Sequence, residues 1–386
     1  MEAYLDNAAT TKVSDKVAGT VNKVMTIDYG NPSSMHIKGM QAENYVKEAR
    51  KKIAATLKCR PEEIIFTSGG SESNNMALIG SALANSRRGK HIIASAFEHA
   101  SVSNTLLFLE SLGFQISFAP VDSLGHVKKD ELINMIKDDT ILVSIMYVNN
   151  ELGAKQDIAA LSKAVKEKKP DIIFHSDCIQ SYGKYKINPA KEGIDIISVS
   201  GHKIHGPKGT GFIYIKDKTK IKPIIYGGGQ QNGFRSGTEN VPGIAGLAQA
   251  AADIYENHDV KIEEMYSLKQ WFVKEMSATK GFRVNCITDD IHECAPHIVS
   301  VSMEGVRAEV MLHALEERGV YVSSGSACSS NHPGISGSLE AVGILNSLLD
   351  STLRFSFSVN TTLEELKYAK TQIDEIYPRL LLHRRR

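Results

Sequence analysis

From about residue 64 onward the chain alternates short apolar runs with amphipathic stretches, and this alternation most constrains its fold. Most of the runs are rich in Ile and Val on both faces, as in strands that are buried within a parallel sheet. We expect strands at 64–66, 91–95, 115–118, 141–148, 172–175, 195–199 and 211–215. Helical patterns separate several of them, at 73–85, 101–112 and 158–168. Alternation of this kind predicts an α/β unit with a mainly parallel, doubly wound sheet.

The pattern changes after about residue 240, where longer helices and single strands follow one another. We expect helices at 241–256, 261–278, 308–317 and 362–377, and strands at 298–302, 320–323 and 353–359. This predicts a smaller α+β C-terminal domain. We place the large domain at 15–258 and the small one at 1–14 together with 259–386. The longest predicted loop, at about 323–338, is rich in Gly and Ser, and a loop of that length is usually functional or mobile.

Composition excludes several classes of protein. Hydrophobic residues make up 42% of the chain and charged residues 23%, as in a globular protein that buries a large core. The net charge of +1 gives no argument for a nucleic acid or an acidic membrane as the main partner. No apolar run approaches the roughly 18 residues of a membrane span, and the N-terminus has no secretion pattern. We therefore expect a cytoplasmic protein, and we interpret the basic run 383–386 as a frayed tail.

Five cysteines in a chain of this length do not form a disulfide framework, and they show no zinc spacing. The histidines show no metal spacing either, so we expect no metal and treat His36, His91, His292 and His297 as structural. We expect four cysteines to be packing residues, namely Cys59, Cys178, Cys286 and Cys294. Cys328 differs because it lies in a polar loop, where an exposed thiol can ionise and act as a nucleophile. An inert surface cysteine is the alternative.

A polar, Gly-rich turn at 200–209 follows the predicted strand 195–199. It can present Lys203 at a strand end, with Ser200 and His202 beside it as hydrogen-bond donors. A Schiff-base lysine needs such a fixed amine, donors for a phosphate, and glycines that allow close backbone approach. A surface loop with a solvated lysine is the alternative for this segment alone.

A second turn links the predicted strand 64–66 to the helix 73–85 through Gly69 and Gly70. The free N–H groups of a helix start and the helix dipole form an anion site, to which Ser71 can add a hydroxyl. The glycine spacing matches neither a dinucleotide fingerprint nor a P-loop. An ordinary capped helix start is the alternative.

Asp177 follows the predicted strand 172–175, at the strand end where open α/β sheets bind ligands. A carboxylate at this place can hold the protonated nitrogen of a pyridine ring, which makes that ring an electron sink. Gln180 follows three residues later and could face the same side. The alternative is that Asp177 caps a helix.

Two further residues have side chains suited to a planar cofactor and a carboxylate substrate. His99 follows the predicted strand 91–95, where it could stack on a ring and move protons. Arg354 lies among apolar residues of the predicted strand 353–359, and its guanidinium can grip a carboxylate through two parallel hydrogen bonds. A structural histidine and a structural salt bridge are the alternatives.

Taken together, these segments resemble the cysteine desulfurases of the NifS/IscS type, which are fold type I pyridoxal-phosphate enzymes of the class V aminotransferase group. The resemblance covers nearly the whole chain and includes segments 4–11, 30–36, 149–153, 235–240 and 324–328. The last of these is the most discriminating, and it is similar to the branch with a long, mobile cysteine loop. The sequence at 329–337 is longer than in the best-known members.

The resemblance implies pyridoxal 5'-phosphate as the cofactor and assigns a role to each matching residue. Lys203 would bond covalently to the cofactor. Asp177 would pair with its ring nitrogen, and Gln180 would contact its ring hydroxyl. His99 would stack on the ring and act as acid and base.

The remaining implied roles concern the phosphate, the substrate and a second subunit. The phosphate would be held by Gly70, Ser71, Ser200 and His202. Thr238 would reach the phosphate of the neighbouring subunit, which implies a homodimer with shared active sites. Asn150 and Arg354 would bind the carboxylate of the substrate.

The implied reaction converts L-cysteine to L-alanine and leaves the sulfur as a persulfide on Cys328. An acceptor protein would then take the sulfur, for iron–sulfur cluster assembly or for thiolation of tRNA or cofactors. A selenocysteine lyase and another class V aminotransferase are the alternatives within the cofactor class, and an aminotransferase would not need Cys328. A catalytically idle scaffold is an alternative of another class, whereas the glycine spacing argues against a nicotinamide-dependent dehydrogenase.

Overall fold

The computed structural model describes residues 1–324 and 336–383. In chain order its strands are β1 (Ala3–Tyr4), β2 (Ile64–Thr67), β3 (His91–Ser95), β4 (Gln115–Ala119), β5 (Thr140–Ser144), β6 (Ile173–Asp177), β7 (Ile196–Ser200), β8 (Gly211–Ile215), β9 (Phe282–Asn285), β10 (Ile298–Met303), β11 (Val320–Tyr321), β12 (Ser323–Ser324) and β13 (Thr352–Ser356). Its α-helices are α1 (Asp15–Thr26), α2 (Ile37–Leu57), α3 (Gly70–Asn85), α4 (Ala100–Ser111), α5 (Lys129–Asn134), α6 (Ile158–Lys168), α7 (Pro189–Glu192), α8 (Val241–Tyr255), α9 (His258–Ser277), α10 (Ala308–Glu316), α11 (Gly337–Ala341), α12 (Asn346–Leu349) and α13 (Leu363–His383).

A seven-stranded sheet in the order β2-β8-β7-β6-β5-β3-β4 forms the centre of the larger part of the chain. Neighbours from β7 to β4 run parallel, whereas β8 is antiparallel to both β2 and β7. The connection from β7 to β8 is too short for a crossover helix, so the chain turns back beside the strand that it leaves. The prediction of a mainly parallel, doubly wound sheet is confirmed.

Both faces of this sheet are covered by helices, which is why its strands are apolar on both faces. On one face Ile93 and Val143 join a core that includes residues of α1, α2, α6 and α8. On the other face Ile92 and Leu142 pack with residues of α3 and α4. Successive strand residues thus belong to opposite cores, as the two-residue period of a strand requires.

A second, antiparallel sheet in the order β12-β13-β10-β9 follows in the C-terminal part. Its own apolar core joins Val301 and Phe355 to Phe272 of α9, Met311 of α10 and Ile373 of α13. The predicted smaller α+β domain is therefore confirmed as an architecture.

The N-terminal segment lies with the C-terminal part of the chain. Ala3 and Leu5 belong to the C-terminal core, and β1 pairs in parallel with β11. These contacts support the predicted grouping of 1–14 with 259–386. The boundaries themselves stay a prediction.

Several predicted boundaries needed correction. The predicted strand 141–148 ends at Ser144, and the predicted strand 320–323 is two short strands that pair with different partners, β1 and β13. The predicted loop 323–338 begins with β12 and ends inside α11. Residues 325–335, with Cys328 among them, and residues 384–386 of the predicted basic tail lie outside the described residues. Within the described ranges, no helix is both long and apolar enough to cross a membrane.

Candidate active site

A cleft of about 290 Å³ lies at the carboxyl ends of β6 and β7. It unites residues that the sequence predicted from widely separated segments: Gly70, Ser71, His99, Asn150, Asp177, Gln180, Ser200, His202, Lys203 and Arg354. Five lining residues were not predicted: Ala8, Ala9, Ser101, Met146 and Ile179. The fold therefore gathers in one cavity the groups that we singled out on separate chemical grounds.

Lys203 ends a short 3-10 turn, Gly201–Lys203, directly after β7. Its Nζ donates to the backbone carbonyls of Ala8 at 2.5 Å and Ala9 at 2.6 Å. The hydroxyl of Thr11 donates to the carbonyl of His202 at 2.9 Å. The N-terminal segment thus fixes both the amine and its turn, so the alternative of a solvated surface lysine is wrong.

The start of α3 has the features of an anion site. Its N-cap, Gly69, has a φ of 150° and provides no side-chain cap. A Cβ on Gly70 would lie 2.1 Å from Cδ1 of Ile179, so any larger residue there would require that side chain to move. The alternative of an ordinary capped start therefore does not hold within the described chain, and the first N–H groups of α3 stay available to a phosphate.

Two donors of the lysine turn complete this end of the cleft. Ser200 is buried, and the ring of His202 lies with its Nδ1 3.2 Å from the hydroxyl of Thr10. Burial, and to a lesser extent the charge of Lys203, lowers the pKa of His202 to about 4. At neutral pH the ring is uncharged, and it can still donate a hydrogen bond from its protonated nitrogen.

Asp177 is the last residue of β6 and is 3% exposed. Its Oδ1 accepts from the N–H of Ile179 at 2.9 Å, and its Oδ2 accepts from Nδ2 of Asn74 at 2.7 Å. Burial raises the pKa of Asp177, whereas the charge of His99 and these hydrogen bonds oppose that rise. The alternative that Asp177 caps a helix is wrong, because the residues that follow it form a turn at 179–181 and no helix.

His99 is the N-cap of α4, and its Nδ1 accepts from the backbone N–H of Ser101 at 3.1 Å. The hydroxyl of Ser101 lies 2.8 Å from the same nitrogen. This network assigns the proton of the neutral ring to Nε2. Burial lowers the pKa of His99, and Lys203 acts in the same direction against the charge of Asp177. His99 is therefore uncharged at neutral pH and carries an N–H at Nε2.

Asn74 connects these two groups, and sequence reasoning missed it. Its Nδ2 donates both to Oδ2 of Asp177 at 2.7 Å and to the hydroxyl of Ser101 at 2.8 Å. A chain of hydrogen bonds therefore runs from Asp177 through Asn74 and Ser101 to His99. Asn74 and Ser101 both lie in segments that we singled out from the sequence. Their contact could not be predicted, because it joins residues that are far apart in the chain.

Arg354 points from β13 into the cleft and is buried. It donates to the carbonyl of Asn150 and to Oδ1 of Asp6, each at 2.9 Å. Its Nε has no hydrogen-bond partner among the described residues, although it is buried. The structural salt bridge that we gave as the alternative is therefore present, with Asp6 as the partner. The N–H group at Nε still remains as a donor for a carboxylate ligand.

Gln180 is held from two sides. Its Nε2 donates to the carbonyl of Ala8 at 3.0 Å, and its Oε1 lies 3.0 Å from Nε2 of His297. We set His297 aside because it lacks metal spacing, yet it contacts a predicted site residue. No local sequence pattern indicated the contact between Gln180 and His297, which joins the turn after β6 to the residue before β10.

Two predicted residues are not in the cleft. Thr238 is exposed and does not line it. Cys328 lies outside the described residues. Of the four cysteines expected to be packing residues, Cys178, Cys286 and Cys294 are buried and Cys59 is half-buried, which confirms that prediction. No cluster of potential metal ligands occurs in the part of the chain that the structure describes.

Comparisons with known proteins agree with this geometry. The family model of the class-V aminotransferases matches residues 3–368. A cysteine desulfurase IscS of Dictyoglomus turgidum is 41% identical over 379 residues, which cover 98% of this chain and 95% of that protein. The solved structure of a NifS-like protein superposes with a TM-score of 0.92 at 36% identity, covering 98% of this chain and all of that one. A structure titled SspA in complex with cysteine gives a TM-score of 0.82 at 33% identity, with 93% and 100% of the two chains covered.

Proposed function

This chain belongs to the class-V aminotransferases and, among them, to the cysteine desulfurases of the NifS/IscS type, and we propose that it uses pyridoxal phosphate to convert L-cysteine to L-alanine. The fold class is that of fold type I pyridoxal-phosphate enzymes. One observation carries the proposal. Lys203, Asp177, His99 and Arg354 all line a single cleft, where each has partners suited to its assigned role.

The described residues fit the cofactor at three points. The start of α3 with Ser200 and His202 suits a phosphate, and the amine of Lys203 lies in the same cleft. Asp177 is a buried carboxylate with two donors and remaining acceptor capacity, which suits a protonated ring nitrogen. When bound, pyridoxal phosphate supplies an electron-withdrawing ring that stabilises negative charge on the Cα of the substrate.

The chain's own groups position the substrate and move its proton. Arg354 grips the carboxylate of the amino acid, and its ion pair with Asp6 keeps the guanidinium in place. Asn150 lies beside it in the cleft. His99 is neutral and its Nδ1 accepts from Ser101, so Nε2 carries the ring proton and is the atom that donates it to the bound substrate and later takes it back.

Sulfur transfer requires a nucleophile, and we assign this role to Cys328. Its thiolate attacks the sulfur of the substrate, and a sulfur–sulfur bond forms. The bond between that sulfur and the substrate Cβ breaks, and its electron pair goes to carbon, which is protonated on the way to alanine. The product is a persulfide on Cys328, from which an acceptor protein takes the sulfur.

The proposal extends to partners and compartment. We assign the protein to a homodimer in which Thr238 serves the neighbouring active site, because Thr238 is exposed and outside the cleft of its own chain. The acceptor is a protein of iron–sulfur assembly or of thiolation. The cytoplasm is the proposed compartment, supported by free thiols at all four described cysteines.

Alanine production tests the proposed function. The purified protein, loaded with pyridoxal phosphate, is incubated with L-cysteine and a thiol reductant, and we expect alanine and sulfide in equal amounts. Lys203→Ala and Cys328→Ala abolish both products, whereas the control Cys59→Ala, at a half-buried cysteine outside the cleft, retains them. Alanine formed at an undiminished rate by Cys328→Ala would contradict the persulfide step. Turnover of selenocysteine alone would instead identify the alternative lyase.

A further inference from the structure

Lys184 is a buried ammonium group that the proposed function does not use. It is only 6% exposed, and no ion pair joins it to any carboxylate of residues 1–324 or 336–383. Burial lowers the pKa of Lys184 to about 8, and the charge of Lys203 contributes to that shift. Burying an unpaired charge costs free energy, so its position requires an explanation.

The hydrogen bond of Lys184 supplies the first part of that explanation. Its Nζ donates to the backbone carbonyl of Lys203 at 3.1 Å. The preceding Gly183 has a φ of 79°, and a Cβ there would lie 2.8 Å from the side chain of Ile204. The chain at Gly183 therefore packs closely against the Ile204 side chain, and the ammonium of Lys184 holds the carbonyl at the end of the lysine turn in addition to the contacts from the N-terminal segment.

The charges around Lys184 supply the second part. Among residues 1–324 and 336–383, the groups that interact with it electrostatically are Lys203, His205 and His297, and none of these is an anion. Burial is the main cause of the lowered pKa of both histidines, and Lys184 lowers each of them further. Repulsion between like charges is mutual, so Lys184 must disfavour a charge on Lys203 as Lys203 disfavours one on Lys184.

We propose that Lys184 is a positioning residue for Lys203: it fixes the backbone carbonyl of Lys203, and its positive charge disfavours the charged form of the Lys203 amine. This repulsion opposes the attraction between Lys203 and the carboxylate of Asp177, which favours the charged form. An uncharged amine is the form whose lone pair bonds to an aldehyde carbon, with the aldehyde oxygen leaving as water. The relevance of this to catalysis rests on the proposed function. The charge effect itself is a property of the chain without cofactor.

Competitive acetylation of lysines in the full-length, cofactor-free protein measures this effect directly. Acetic anhydride reacts only with uncharged amines, so the pH dependence of Lys203 labelling, read by mass spectrometry, gives the titration of its amine. In Lys184→Met the charge and the hydrogen bond are lost while an unbranched chain remains. We expect the Lys203 curve to move up by about one pH unit, which lowers its labelling at neutral pH about tenfold.

Lys269 provides a matched control. It is 2% exposed, donates to the carbonyl of Ala295 at 2.6 Å, and burial lowers its pKa to about 8. Lys203 is not among the charges that act on Lys269. Lys269→Met should therefore leave the Lys203 curve unchanged, although it removes an equally buried cation.

Two further variants separate the charge from the hydrogen bond. Lys184→Arg keeps a positive charge and should keep the Lys203 curve at or below its original position. Lys184→Gln keeps a donor without the charge and should shift the curve upward, as in Lys184→Met. These two variants carry the test if the methionine variant does not fold. Loss of the cofactor absorption band at neutral pH in Lys184→Gln, regained at higher pH, is the corresponding result in loaded protein.

Two results would overturn the inference: a Lys203 curve that does not move in Lys184→Met or Lys184→Gln, or an equal shift in Lys269→Met. Neither result depends on turnover. A protein that forms no alanine but shows the expected shifts would count against the proposed function and leave the role of Lys184 intact.

Discussion

Single residues in this cleft act through the charge states that their neighbours impose. Burial pushes Asp177 toward its neutral form, and hydrogen bonds from Asn74 and from the N–H of Ile179 oppose that tendency. Burial also lowers the pKa of His99, which favours the uncharged form of its ring. Burial thus favours the uncharged form of both neighbouring groups, and the two hydrogen bonds to Asp177 are what favour its carboxylate form, which its assigned role requires.

Asn74→Leu tests the link between these groups. The substitution keeps the volume but removes the donors to Asp177 and Ser101, so the pKa of Asp177 rises further and its carboxylate pairs less well with a ring nitrogen. We expect the dissociation constant of pyridoxal phosphate, measured by absorbance titration, to rise about tenfold, the equivalent of one charge-assisted hydrogen bond. Asn85→Leu is the control, because Asn85 is buried in the same helix but its side-chain partners, the carbonyls of Ser81 and Lys220 and the guanidinium of Arg88, all lie outside the cleft. Equal cofactor affinity in both variants would contradict this role.

The predictable part of the site consists of residues with a local signature. Asp177 and Lys203 could be found from the sequence because each follows a buried strand, and Gly70 because a strand runs through glycines into a helix. The carbonyls of Ala8 and Ala9 that receive the Lys203 amine could not, because every residue has a carbonyl. Asn74 lay inside a marked segment, but its partners depend on how α3 packs against α4 and β6.

At the scale of elements, the central strands are joined by a buried histidine as well as by the apolar cores. His175 of β6 lies between the hydroxyl of Ser144 on β5, at 2.8 Å, and that of Ser198 on β7, at 3.0 Å. Burial lowers the pKa of His175 to about 3. Between about pH 3 and pH 6.5 the ring therefore stays uncharged in the folded sheet, whereas the same histidine binds a proton in the unfolded chain.

This histidine should make stability depend on pH. Between its unfolded pKa of about 6.5 and its folded value, the unfolded state binds the extra proton, so the contribution is full above pH 6.5 and is lost as pH falls. From pH 7 to pH 5 the loss is about 2 kcal/mol for this group. Urea unfolding at both values should show a smaller drop for His175→Gln than for the unsubstituted protein. His292→Gln, at an exposed ring whose pKa is raised by Glu263, should not reduce the drop.

Sequence analysis missed helix α2 and the antiparallel direction of β8, each for its own physical reason. The buried face of α2 includes many small residues, such as Gly39, Ala42 and Ala49, besides the larger Val46 and Ile53. A search for large apolar residues at helical spacing does not detect such a face, which packs closely on α8. The direction of β8 was likewise not visible, because it depends on the length of the preceding connection and not on the strand's own residues.

For the molecule as a whole, the N-terminal segment is the link between the C-terminal core and the active site. Leu5 packs in that core, and the N–H of Ala8 donates to the hydroxyl of Ser356 on β13 at 2.8 Å. The carbonyl of the same Ala8 accepts from Lys203 on the large sheet. The site is therefore assembled only when both parts of the chain are folded against each other.

An exposed apolar surface supports the proposed second subunit. It comprises the large side chains that α1, the following loop and the start of α2 leave exposed: Met25, Ile27, Tyr29, Met35, Ile37 and Met40. Apolar residues concentrated in one short segment are typical of a surface that another chain covers. Thr238, exposed and outside its own cleft, would then act across the interface between the two copies.

Mixed dimers test whether the sites are shared. Lys203→Ala and Thr238→Ala are co-expressed with different tags, and the doubly tagged species is isolated. If Thr238 serves its neighbour, one site of that species carries both substitutions and the other carries neither. Half of the sites should then bind pyridoxal phosphate with the original affinity, although neither parent does.

Pairing Lys203→Ala with Thr371→Ala, at an exposed threonine of α13, gives the reference for one intact site. If Thr238 served its own chain, each site of the mixed species would hold one defect, and the high-affinity half would be missing.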